Sequence, residues 1–119
     1  MNYKFFLAVL SLLLVAGLLF YFGGSRPAQG SLQGFAQCLA DKGITMFGAE
    51  WCPHCQKEKK AFGDAFRYVP YVECPDNPNV CLNKGVEAYP TWIFPDGRKL
   101  VGEQGLPKLA AESGCELPR

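Results

Sequence analysis

Two cysteines separated by proline and histidine, Cys52-Pro53-His54-Cys55, directly follow the short apolar run Ile44 to Phe47. Proline costs nothing as the first residue of a helix, so a helix is expected to start at Pro53 and to place Cys52 at or near its N-cap. A sulfur there faces unpaired backbone N–H groups and the positive end of the helix, which favour thiolate over thiol. Cys52 is therefore the expected nucleophile of a thiol-disulfide exchange. Cys55, one turn in on the same side but deeper, is the expected resolving thiol, and His54 offers a donor or positive charge that stabilises the Cys52 thiolate. Other chemistries fit less well. Zinc held by Cys52, Cys55, Cys74 and Cys81 would need a second close pair, yet six residues separate Cys74 from Cys81, outside the usual two to four, so no metal is expected. Haem attachment would need histidine where Gln56 stands. A purely structural Cys52-Cys55 disulfide is the remaining bland alternative.

The elements that must hold this motif can be read on either side of it. Ser31 is a candidate N-cap for a helix whose Leu32, Phe35, Ala36 and Leu39 recur with helical period, ending at Gly43. The helix from Pro53 presents Cys55, Phe62 and Phe66 as its apolar face, with Lys and Glu elsewhere. Tyr68 to Cys74 reads as a strand, Pro75 to Asn79 as a turn, and Val80 to Lys84 as a short helix closed by Gly85. Tyr89 to Phe94 is a further strand, Pro95-Asp96-Gly97 a hairpin turn, Arg98 to Val101 the return strand, and Leu106 to Glu112 a last helix. This alternation predicts an α/β fold with parallel crossovers first and an antiparallel hairpin last.

Upstream, Phe5 to Phe22 runs 18 residues without a charge, long enough to cross a bilayer. Residues 1–22 are read as a membrane anchor or uncleaved signal, since the apolar core exceeds that of a cleaved secretory signal and Ala28-Gln29-Gly30 is a weak cleavage site. Residues 23–30 read as a flexible tether and 31–119 as the globular domain. Of the 119 residues, 49% are apolar and six are cysteine, and the formal net charge is +1. Lys57, Lys59 and Lys60 are the only basic cluster, so no nucleic-acid partner is expected. Both readings of the N-terminal segment export the domain to a compartment where disulfides persist.

The segment Phe47-Gly48-Ala49-Glu50-Trp51-Cys52-Pro53-His54-Cys55, followed by Ala88-Tyr89-Pro90-Thr91 and a hairpin with Gly102, resembles the thioredoxin superfamily from about Ser31 to the end. The resemblance implies a thioredoxin-like fold, a central mixed sheet flanked by helices, here preceded by one N-terminal transmembrane helix. Trp-Cys-Pro-His-Cys-Gln, Tyr71-Val72-Glu73-Cys74, Cys81 and Gly85 to Trp92 are similar to thioredoxin-like domains fused to, or partnered with, vitamin K epoxide reductase homologues. That likeness implies a disulfide oxidoreductase that needs no cofactor, acts on exported cysteine-containing proteins and is recharged by a quinone-linked membrane partner. Its domain would face the periplasm, thylakoid lumen or cell exterior. Pro90 cannot easily sit mid-strand, so an edge, a turn or a cis bond is required, and the resemblance implies cis. Trp51, Tyr89 and Pro90 are then the expected substrate-binding residues, although the aromatics could equally be core.

Met46 stands where many reducing thioredoxins carry a buried acid, which leaves Cys55 without the usual proton acceptor. Glu73 on the neighbouring strand is a candidate replacement, against the commoner reading of an exposed edge glutamate. Cys74 and Cys81 are expected to bridge across the proline-bearing turn in a structural role, a redox relay pair being the alternative. Elimination leaves Cys38-Cys115, with free thiols or an intermolecular bridge as alternatives. Against that bond stands the implied layering, in which the first and last helices cover opposite faces of the sheet.

Overall fold

The computed structural model describes residues 2–23 and 31–118, so the expected tether lies outside the described residues except for Gly23. Helix α1, Tyr3–Phe22, is apolar on every side, and Tyr3–Tyr21 has a mean hydropathy of 2.3, making it long and apolar enough to cross a membrane. The remaining elements are α2 (Leu32–Asp41), β1 (Thr45–Gly48), α3 (Pro53–Phe62), a 3-10 segment (Gly63–Tyr68), β2 (Tyr71–Glu73), α4 (Pro78–Asn83), β3 (Thr91–Ile93), β4 (Lys99–Val101) and α5 (Leu106–Ser113). Ser31 caps α2 by accepting the Gly34 N–H at 2.9 Å.

The four strands form one mixed sheet in the order β2-β1-β3-β4, with β1 parallel to β2 and antiparallel to β3, and β3 antiparallel to β4. Helices flank it, and the fold is an α/β thioredoxin-like one. Because successive strand residues face opposite ways, the sheet separates two packed clusters. Met46 and Trp92 join Phe35, Ala36 and Leu39 of α2, Cys55 and Phe62 of α3, and Leu109 of α5. Phe47 and Ile93, one step along each strand, join Cys74 and Cys81. Complete burial of Phe35, Leu39, Phe62, Trp92 and Leu109 stabilises the fold by about 1.5–3 kcal/mol for each such side chain.

Three expectations need correction. The first and last helices do not cover opposite faces: α2 and α5 share the Met46/Trp92 cluster, Lys42 Nζ donates to the Ser113 carbonyl at 2.6 Å, and Cys38 is bonded to Cys115. The second helix does not confine its burial to the apolar face read for it, since Glu58, placed off that face, is only 1% exposed, and Phe66 follows in the 3-10 segment instead of the helix. The strands are also shorter than expected. Tyr68 is taken up by the 3-10 segment, and the ladder of β3 starts only after Pro90, which has no N–H to give it.

Candidate active site

Cys52 is the N-cap of α3, with extended backbone, and Pro53 occupies the first helical turn. The thiol sulfur of Cys52 accepts the Cys55 N–H at 3.3 Å, one of the four donors that every helix start leaves unpaired. On its other side it reaches the Tyr89 carbonyl at 3.7 Å. The Tyr89–Pro90 peptide is cis, and this bond sits between the active-site helix and β3. Cys52 and Cys55 are both free thiols. The first carries a helix-terminal donor on its sulfur, as expected of an N-cap position.

Cys55 is fully buried. Desolvation pushes its thiol up from 9.0 to about 12, with the hydrogen bond and charge of Cys52 adding to the rise while an Ala49 backbone contact and Lys59 oppose it. At neutral pH it therefore holds its proton and needs help to attack.

Around the pair, Trp51 is 68% exposed and meets Tyr89 edge-on at 6.0 Å between ring centres, so it forms an apolar rim and not a core contact. Trp92, by contrast, is entirely core. His54 is 69% exposed, and its Nδ1 lies 3.0 Å from Glu103 Oε2. The two hydrogen bonds described for the Cys52 sulfur go to Cys55 and Tyr89 and not to His54. Glu73 is partly buried: its Oε1 accepts the Glu50 N–H at 2.7 Å and its Oε2 accepts the Tyr71 hydroxyl. The glutamate expected beside Cys55 is thus bonded to Tyr71. Cys74 is joined to Cys81 with Cα atoms 5.7 Å apart, and Cys38 to Cys115 at 5.8 Å. Among the described residues no cluster of three or more His, Cys, Asp or Glu is arranged to hold a metal.

Two residues escaped the sequence reading. The carboxylate of Glu58 accepts the Trp92 indole N–H at 3.2 Å and the backbone N–H groups of Gln104 and Gly105, each at 2.8 Å. It ties α3 to β3 and to the loop that carries Glu103. Tyr71 sits below Lys59, whose Nζ is 3.9 Å from the ring centre, and against Phe66. Burial holds its phenol well above the ordinary tyrosine value, with the Glu73 hydrogen bond next in size. Neither residue carried a local signal, because their partners come from distant parts of the chain.

A thioredoxin-like fold with a Cys-x-x-Cys pair at the head of a helix, facing a cis-proline, defines a class built for thiol-disulfide chemistry. Within that class the chain is related to the thiol-disulfide oxidoreductase LTO1 of Arabidopsis thaliana, 38% identical over 91 residues that cover 69% of this chain and 24% of the relative. It is also similar to a thioredoxin domain-containing protein 5 homolog of Drosophila melanogaster, 31% identical over 94 residues covering 65% of this chain and 22% of that protein. The chain therefore spans about a quarter of the length of these relatives. Among solved structures, oxidised mitochondrial thioredoxin 3 from Saccharomyces cerevisiae covers 71% of this chain and 88% of its own, with 23% identity and a TM-score of 0.43. No protein-family model matches the chain.

Proposed function

We propose that this chain is a membrane-tethered, extracytoplasmic thiol-disulfide oxidoreductase that oxidises cysteines of exported proteins through Cys52-Cys55. The observation that carries the reading is the Cys52 sulfur at the N-cap of α3, accepting the Cys55 N–H and lying beside the Tyr89 carbonyl of the cis bond. A substrate thiolate attacks the oxidised pair at Cys52 and expels Cys55, which takes up a proton. The second substrate thiolate then attacks the substrate sulfur of the mixed disulfide and expels Cys52. Trp51 and Tyr89 give the entering chain an apolar rim, and the backbone at Pro90 aligns it. His54 lowers the free energy of the reduced form by stabilising the Cys52 thiolate, which makes the pair a stronger oxidant. The helix Tyr3–Phe22 serves as the anchor, and the domain faces the periplasm, thylakoid lumen or cell exterior.

Reoxidation is assigned to a quinone-linked membrane protein of the vitamin K epoxide reductase type. The likeness of Trp51 to Gln56 and Tyr71 to Cys74 to domains that work with such partners supports this assignment. The deciding measurement is the reduction potential of Cys52-Cys55 in the full chain, equilibrated with glutathione. An oxidant is expected nearer the ~−120 to −180 mV of known oxidants and isomerases, and a value as low as the roughly −270 mV of thioredoxin would reverse the assigned direction.

A further inference from the structure

Cys52 at the head of α3 and Lys59 within it act on the Cys55 thiol, and Cys55 in turn acts on Tyr71 of β2, whose hydroxyl is bonded to Glu73. Gly48 brings them together. A Cβ placed on Gly48 would lie 2.9 Å from Cys55 Sγ, 3.3 Å from Tyr71 Cε2 and 3.4 Å from Tyr71 Oη, so the thiol and the phenol border the same side-chain-free spot on β1. The Tyr71 hydroxyl donates to Glu73 Oε2, and both residues project from one face of β2 because they are two apart. Glu73 Oε1 is held in turn by the Glu50 N–H, just before the motif. Tyr71 thus stands next to a fully buried thiol on one side of the Gly48 gap and is bonded to a partly buried carboxylate on the other.

Resting on the proposed redox function, we infer that Tyr71 is the relay through which Cys55 exchanges its proton with Glu73. When Cys55 resolves a mixed disulfide, its Sγ proton passes to Tyr71 Oη as the tyrosine's own hydroxyl proton passes to Glu73 Oε2. The Cys55 thiolate then attacks Cys52 Sγ. The Cys52–Cys55 bond forms, the bond between Cys52 and the partner sulfur breaks, and the partner leaves as a thiolate with the electron pair. In this step Cys55 is oxidised and the partner sulfur is reduced, while Cys52 stays at the disulfide level. Substrate oxidation runs the same path backwards, with Glu73 returning a proton to the expelled Cys55. Burial holds the Tyr71 phenol far above its ordinary value, so it gives up one proton only as it gains another. Relaying suits it and storing a charge does not.

The test uses the full chain in detergent micelles, reduced and mixed with glutathione disulfide, with acid quench and mass analysis. Attack by Cys52 and resolution by Cys55 are thereby timed separately across pH. Tyr71→Phe keeps the ring packed on Phe66 and Lys59, and Glu73→Gln keeps a hydrogen-bonding group that cannot store the proton. Each is expected to leave the first step within about twofold and to slow resolution at least about tenfold near neutral pH. The deficit should shrink as pH rises and hydroxide takes over the role. The double variant should be no slower than the slower single one, because both groups serve one relay. Resolution by Tyr71→Phe at the parent rate and with the parent pH profile would overturn the relay alone. A parent chain that forms no Cys52 adduct would overturn both the relay and the function on which it rests.

Discussion

The indole N–H of Trp92 donates to Glu58 Oε2 at 3.2 Å, inside a cluster where Trp92 is fully buried and Glu58 is 1% exposed. A carboxylate in such a place is tolerated because backbone donors from Gln104 and Gly105 complete its shell. Replacing Glu58 by Ala leaves one buried and two partly buried donors without an acceptor, and the expected loss is about 3–5 kcal/mol. Glu58→Gln should cost less, about 1–3 kcal/mol, since one amide oxygen still accepts while its NH₂ opposes a donor. Urea unfolding followed by tryptophan fluorescence measures both, and a Glu58→Ala loss under 1 kcal/mol would mean that water reaches this site.

Gly48→Ala tests the close approach at β1. The new Cβ would stand 2.9 Å from Cys55 Sγ and 3.3 Å from the Tyr71 ring, and the Cys55 side chain is fully buried. Overpacking of this kind is expected to cost about 1–3 kcal/mol and to slow resolution by Cys55 along with stability. An unchanged denaturation midpoint would show that β1 shifts freely.

The raised Cys55 thiol makes the reduced domain sensitive to alkali. Its value lies above the ordinary 9.0 and reaches about 12 in the folded chain, so the unfolded chain loses this proton first as pH rises. The stability tied to the buried thiol is complete below about pH 9 and is lost as pH climbs towards about 12, with a slope approaching about 1.4 kcal/mol per pH unit. Subtracting the pH dependence of reduced Cys55→Ala isolates this contribution. Parallel curves for the two proteins would contradict the burial argument.

His54→Ala is expected to make the Cys52-Cys55 pair less oxidising. His54 is 69% exposed and its partner Glu103 29%, so solvent screens the histidine's field and the fall in potential should be about 30 mV or less, corresponding to about 1.4 kcal/mol. Glutathione equilibration reads the shift directly. A potential that stays within a few millivolts of the parent removes His54 from the tuning of Cys52.

The two structural bridges should differ in weight. Cys38–Cys115 spans a sequence separation of 77 and Cys74–Cys81 one of 7. Restriction of the unfolded chain then gives about 4–5 kcal/mol for the first and about 2–3 kcal/mol for the second. Paired Cys→Ser variants compared by urea unfolding should preserve that order. The reverse order would point to native-state packing around Cys74 and Cys81 as the larger effect.

Local chemistry made much of this fold legible in the sequence. Ser31 as a cap, Pro53 at a helix start, Gly43 and Gly85 at helix ends and Asp96-Gly97 in the hairpin each act over a few residues, and each was readable. Pro78 carried the same signal as Pro53 but was read as part of a turn, so α4 begins two residues earlier than expected. What stayed hidden depends on partners far along the chain. Glu58 was simply one of the charges off the apolar face of its helix, because its acceptor role exists only once residues 46 and 47 positions away arrive. The placing of Tyr71 against Cys55 likewise needs the parallel pairing of β1 and β2. Resemblance also misled at one point, since it assigned α2 and α5 to opposite faces when both share the cluster that Cys38 and Cys115 join.

The two outer strands of the sheet, β2 and β4, are three residues long. Pro70 and Pro75 flank the first, and the second begins with Lys99 and runs into Gly102. An exposed strand edge is a template on which a foreign extended chain can nucleate aggregation, and shortness, proline and lysine are the means by which natural sheets blunt it. A domain proposed to handle chains that are still folding meets such templates' natural partners at high frequency. Its own short edges would offer them few N–H and C=O groups for lasting attachment, so the proposed clients would meet the Tyr89–Pro90 rim without being drafted into the sheet.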